Sequence, residues 1–215
     1  MRNRFDRQLQ LLDEQLIHMG KLCEVAIANA TRALQECNVE QAKAVMEADE
    51  EIDQMEKDIE RLCLKLLLQQ QPVARDLRQI SAALKMITDM ERIGDQAADI
   101  AEILISGQIK EMSAHGYLVD MASQTSEMVK KSIQAFVEKD LDMTRKVIVA
   151  DNDVDQLFDQ IKEALITFLA KEQSKGGEAL DMLMIAKYLE RIGDHATNIA
   201  EWVEFSITGV HRKLN

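Results

Sequence analysis

The chain has one proline, one tryptophan, two tyrosines and five phenylalanines in 215 residues. With so few breakers and so little aromatic content, it is dominated by Ala, Leu, Met, Glu, Lys and Gln, which lose little on entering a helix. An all-α fold is the default. Long apolar runs are also missing. No segment reaches the 18 consecutive apolar residues of a membrane span, and "MRNRFDRQLQLLDEQL" contains no uninterrupted apolar stretch of the signal-peptide kind. The chain is therefore expected to be soluble and cytoplasmic. Positive charge is scarce: 26 Lys and Arg face 38 Asp and Glu, a net charge of −12. Phosphate neutralisation by Lys and Arg supplies most non-specific affinity for DNA and RNA, so direct nucleic-acid binding is not expected. Cysteine is limited to Cys23, Cys37 and Cys63, without CxxC spacing, and these are expected to be reduced core residues.

What the chain does have is continuous helical periodicity. Apolar positions recur at three and four residues, as in Ile80, Leu84, Ile87, Met90, Gly94, Ala97, Ala101 and Leu104. The breaks are "ECNVE" at 36–40, "QQPV" at 70–73, "SGQIKEMSAHG" at 106–116, "EKDLD" at 138–142 and "EQSKGGE" at 172–178. Five breaks leave six helices, mostly of about 30 residues and so roughly 45 Å long.

The chain also repeats itself. "VMEADEEIDQM" (45–55) aligns with "VIVADNDVDQL" (147–157) at an offset of 102, and "MERIGDQAADIAE" (90–102) with "LERIGDHATNIAE" (189–201) at an offset of 99. The difference of three falls in the loop between the paired helices. Two tandem three-helix bundles of antiparallel helices follow, over residues 1–108 and 109–215.

The repeated "ERIGD" places an acid at each end of a helical turn and glycine between them. At about 100° per residue, Glu91 and Asp95 project together from the edge of the apolar stripe. Asp49, Asp53 and Glu56 occupy the corresponding edge of the second helix, beside Val45, Ile52, Ile59, Leu62 and Leu66. Pairs 53/91 and 49/95 share a midpoint at Pro72, in the connection. A hairpin turning there brings Asp53 opposite Glu91 and Asp49 opposite Asp95. Pairs 155/190 and 151/194 likewise share a midpoint, between residues 172 and 173.

Four carboxylates at a core margin repel one another and need a positive partner. Arg92 and Arg191 project roughly 100° from their glutamates and make poor counter-ions. A multivalent cation fits better, and oxygen-only ligands suit Fe, Mn, Mg or Ca over Zn. Glycine at 94 and 193 then lets a neighbouring helix or a metal cluster approach. The alternative is that these acids only solvate a helix edge. His195, replacing Gln96, is expected to pack or hydrogen-bond, and Asn198, replacing Asp99, makes the second site less acidic.

"ADEEID" at 48–53, "PVARDLRQISAALKMITDMERIGDQAADIAE" at 72–102 and "YLERIGDHATNIAEWV" at 188–203 resemble the PhoU family of bacterial phosphate-uptake regulators over essentially the whole chain. That resemblance implies two three-helix bundles whose E/DxxxD motifs hold metal, in some members as multinuclear iron clusters. The matching positions are Asp49, Asp53, Glu91, Asp95, Asp151, Asp155, Glu190 and Asp194, with Asp99 continuing the first run. It also implies a negative regulator that links the ATPase subunit of a phosphate ABC transporter to a sensor histidine kinase. Such a protein meets the membrane through its partners only, and a homodimer is expected. "PVARDLR" (72–78) has no counterpart in the second half. Its plain role is to start a helix, with Arg75, Asp76 and Arg78 exposed in the first turns; since arginine there opposes the helix dipole, the alternative is that these residues contact a partner or an anion.

Catalysis is not expected. The chain has no Gly-rich phosphate loop and no GxSxG. A ferritin-like di-metal oxidoreductase needs Glu-x-x-His on two helices, and none of the histidines at 18, 115, 195 and 211 follows a glutamate by three residues. A metal-free helical scaffold is the remaining alternative.

Overall fold

The computed structural model describes residues 2–69, 72–107 and 115–210. Six long helices run through them: α1 (Arg2–Glu36), α2 (Val39–Gln69), α3 (Ala74–Ser106), α4 (His115–Glu138), α5 (Leu141–Lys171) and α6 (Gly176–Thr208). A single 3-10 turn at Gln173–Lys175 leads into α6. The order is that of two tandem three-helix bundles, as the repeat requires. The expected boundary between residues 108 and 109 lies outside the described residues, as does part of the "QQPV" break.

The two tight helix-to-helix turns are built alike, 102 residues apart. Cys37 and Lys139 adopt φ of 49° and 57°. The next residues, Asn38 and Asp140, donate their N–H groups back to Ala33 and Ala135 carbonyls, both at 3.0 Å. These are left-handed helix ends of the Schellman type, made here without glycine. Each is followed by a side-chain cap: Asn38 Oδ1 accepts from Gln41 N at 3.1 Å, and Asp140 Oδ1 accepts from Asp142 N at 2.8 Å and Met143 N at 3.0 Å. Cys37 is thus an exposed turn residue, not a core one, while Cys23 and Cys63 are buried as expected.

Within each half, all three helices pack on one another; between halves, α3 packs on α6 and α1 on α4. Of the apolar stripe read on α3, every member but Leu84 is buried, and so is the α2 stripe of Val45, Ile52, Ile59, Leu62 and Leu66. Buried apolar side chains of both halves join in one cluster. Gly20 contributes to the α1–α4 seam, because Ile133 of α4 occupies the space where its Cβ would stand. Among the described residues no helix is long and apolar enough to cross a membrane.

Candidate metal centres

The hairpin register places the carboxylates of α2 against those of α3. Oxygens of Asp49, Asp53 and Asp95 lie within 4.8 Å of one another, which is the spacing of ligands around a single cation. Glu91 stands one turn along, its side chain 19% exposed. Electrostatically, Asp49 responds to Asp95, Asp53 and Asp99, and Glu91 to Asp95, Glu56 and Asp53. Asp99 continues the run toward α6, where Arg191 offsets its charge and Tyr188 responds to it.

Desolvation and crowding act together here. Burial, then Asp95, Asp53 and Asp99, push the Asp49 carboxyl up to about 6. Burial also raises Glu91 and Asp99. Asp49 Oδ1 is buried and accepts no hydrogen bond among the described residues, and the buried Glu91 Oε2 has no hydrogen bond either, only the Arg92 Nε at 3.4 Å. A buried carboxylate oxygen left unpaired is costly, and a hard cation is the partner that would satisfy it.

Glycine explains how the two helices come so close. A Cβ on Gly94 would stand 2.6 Å from Asp49 Oδ1 and 2.9 Å from Ile52 Cδ1. Real Cβ atoms do not tolerate such contacts, so glycine is what admits the α2 side chains to the α3 backbone.

Arg92 departs from the expectation that it points away. Its Nη1 lies 2.8 Å from Asp95 Oδ2 and its Nε 3.4 Å from Glu91 Oε2. Its long side chain bends across the three-residue spacing to span both acids, which a wheel of Cα directions does not capture. Arg92 is 54% exposed, so solvent screening keeps this compensation small.

The second half repeats the arrangement less tightly. Burial, then Asp194 and Asp155, push Asp151 up to about 6, and Asp155 and Asp194 are raised as well, both by burial and then by Glu190. Lys187 pairs with Glu190, in the role that Arg92 takes in the first half. A Cβ on Gly193 would meet Asp151 Oδ1 at 3.3 Å and Val154 Cγ1 at 3.4 Å, a looser fit than at Gly94. Among the described residues the 4.8 Å convergence of three ligand atoms occurs at Asp49, Asp53 and Asp95 and not in this half.

His195 and Asn198 face the seam. His195 Nδ1 lies 2.9 Å from Asp89 Oδ1, and Asn198 Nδ2 donates to the same oxygen at 3.1 Å. His195 thus makes the hydrogen bond expected of it. Asp89 was not singled out from the sequence; the one available signal was that the 99-residue register turns it into Tyr188 in the second half. Arg75, Asp76 and Arg78 lie in the first turns of α3, about 25–30 Å along the helix from Asp95.

Comparison with known proteins places this geometry in a family. The PhoU domain model matches twice, over residues 16–104 and 118–203. A phosphate-specific transport system accessory protein PhoU homolog from Clostridium acetobutylicum is 36% identical over 214 residues, covering 98% of this chain and 97% of the relative. One from Pseudomonas aeruginosa is 34% identical, covering 95% of this chain and 86% of its own. The crystal structure of PhoU from Pseudomonas aeruginosa superposes with a TM-score of 0.89 at 32% identity, over 96% of this chain and all of that one. The phosphate transport system regulatory protein PhoU from Streptococcus pneumoniae gives 0.88 at 27% identity, over 98% of this chain and all of that one.

Proposed function

Because the chain belongs to the PhoU family, we propose that it is an accessory protein of phosphate-specific transport that restrains both phosphate uptake and the phosphate-starvation response. It acts in the cytoplasm as a homodimeric adaptor between the transporter's ATPase subunit and a sensor histidine kinase, and it reaches the membrane only through these partners. It works by protein contact and not by catalysis. Its relatives' names as transport accessory proteins support the transporter link.

The observation that carries the cation part of this reading is the convergence of Asp49, Asp53 and Asp95 around the buried, unpaired Asp49 Oδ1. Together with Glu91 and Asp99 these residues hold Fe, Mn, Mg or Ca, all of which accept carboxylate oxygens. Asp151, Asp155, Glu190 and Asp194 form the weaker second site. When bound, the cation supplies positive charge that relieves carboxylate repulsion. The protein's own part is to clamp α2 to α3, and α5 to α6, so that the outer faces of the bundles stay in a fixed relation for partners to read.

Alkaline phosphatase activity in phosphate-rich medium tests the regulatory reading, comparing a bacterial strain lacking this gene with one carrying it. High activity without the gene and low activity with it support the proposal. Equal activity in a strain with no second copy of the family overturns it.

A further inference from the structure

A pocket of about 290 Å³ opens where the two halves meet at one end of the molecule. Arg75, Arg78 and Gln79 enter it from the start of α3, Phe136 and Lys139 from the end of α4 and its turn, and Ser206 from the last turns of α6. Three cations thus share a small space in a protein whose net charge is −12. None of the described lining residues is acidic, and none of the three cations forms an ion pair within 4 Å among the described residues. Among the described residues the neighbouring acids Asp13 and Asp76 form no ion pair within 4 Å with these cations. Asp13 accepts a hydrogen bond from Gln79 at 3.0 Å and sits within electrostatic range of Lys139, while Asp76 lies in the first turn of α3.

Arg78 is the anchor. Its guanidinium packs on the C-terminal turn of α6, where a Cβ on Gly209 would be 3.5 Å from Nη1 and from Cδ. Its Nε is buried and has no hydrogen-bond partner among the described residues. A fixed, unpartnered charged donor beside a cavity calls for an acceptor. The start of α3 adds to the positive potential, since Val73 provides no side-chain cap for the first N–H groups. The fold itself does not demand this charge: in the register of the repeat, Arg78 corresponds to Gly177 and Lys139 to Cys37.

We propose that this pocket is a binding site for a small tetrahedral oxyanion of the phosphate class, with free inorganic phosphate as the ligand. Three clustered cations match a dianion better than a chloride or a monocarboxylate. The volume admits one such ion and its waters, and the Arg78 fork offers directional donors, while the Ser206 hydroxyl donates to the Val203 carbonyl at 2.8 Å. The site rests on this pocket alone and lies at the other end of α3 from the carboxylates. Its failure leaves the regulatory reading intact.

Isothermal titration of the full chain with inorganic phosphate, at matched ionic strength, is the test. Saturable single-site binding is expected, about tenfold or more weaker in Arg78→Gln and in Lys139→Gln. Lys139 is in an exposed turn, so that variant keeps the test valid if Arg78→Gln fails to fold. Sulfate is expected to compete, and Glu91→Gln with Asp95→Asn is expected to bind phosphate as the parent does. Absence of saturable binding at millimolar phosphate overturns the proposal, and so do variants that bind like the parent. Tighter binding of phosphoethanolamine than of phosphate overturns the assignment to the free ion.

Discussion

Asp49 Oδ1 lies over Gly94, 2.6 Å from the point where a Cβ would stand, whereas the equivalent oxygen of Asp151 keeps 3.3 Å from its point over Gly193. The two halves of the repeat therefore differ in how closely the acid-bearing helix is pressed on its partner.

That difference gives opposite outcomes for one substitution. Gly94→Ala forces Asp49 and Ile52 to move; an overpacking cost of about 1–3 kcal/mol, set against a helix-propensity gain of at most about 1 kcal/mol, should leave a net destabilisation of up to about 2 kcal/mol. Gly193→Ala meets Asp151 Oδ1 at 3.3 Å, tighter than ordinary contact but relieved by a small shift of that carboxylate, and the gain in helix propensity, at most about 1 kcal/mol, should leave it near neutral. Urea denaturation of the two variants against the parent checks both.

The carboxylates should make metal-free stability depend on pH in a defined direction. Asp49 and Asp151 hold their protons up to about pH 6 in the folded chain, but only to about 3.9 when unfolded. The folded state therefore binds more protons across that window, and stability of the metal-free protein should fall as pH rises from about 4 to about 6. Thermal melts of chelator-treated protein across this range read the slope.

Metal should compete with those protons. Above about pH 6 the Asp49 and Asp151 carboxyls are ionised, so added cation should raise the melting temperature more at about pH 7.5 than at about pH 5. At about 100 times its dissociation constant a cation stabilises by about 2.7 kcal/mol, which for a chain of this size is a rise of about 5–10 °C. Differential scanning calorimetry with Mn and with Mg, at both pH values, measures it.

Much of this was legible in the sequence because the repeat fixes two helical registers at once. Shared midpoints at Pro72 and near residue 172 are enough to set Asp49 beside Asp95 and Asp155 beside Glu190, since a short antiparallel hairpin leaves little freedom. The apolar stripe of α3 was equally readable from a 3.6-residue period. What was not readable lies beyond Cα directions. Arg92 reaches its two acids by bending a long side chain. Lys139 and Arg78 meet only because the ends of α3, α4 and α6 converge. Asp89 meets His195 across 106 residues of sequence. Local periodicity carries no information about which helices of different bundles share a seam.

The seam makes a prediction of its own. Asp89 accepts from Asn198 and contacts His195, and both side chains of the Asp89–His195 pair are less than a fifth exposed. A double-mutant cycle on Asp89→Ala and His195→Ala should return a coupling of about 0.5–1.5 kcal/mol. Additive effects in equilibrium unfolding would show that the contact does not hold the halves together.

Metal content tests the account's central claim most directly. Elemental analysis of the purified chain after equilibration with Fe, Mn, Mg or Ca and removal of unbound ion should find retained metal in the parent. A clear loss is expected in Glu91→Gln with Asp95→Asn, at unchanged helicity. A parent that retains no metal, or a double variant that retains as much as the parent, contradicts the claim that the paired carboxylates are cation sites.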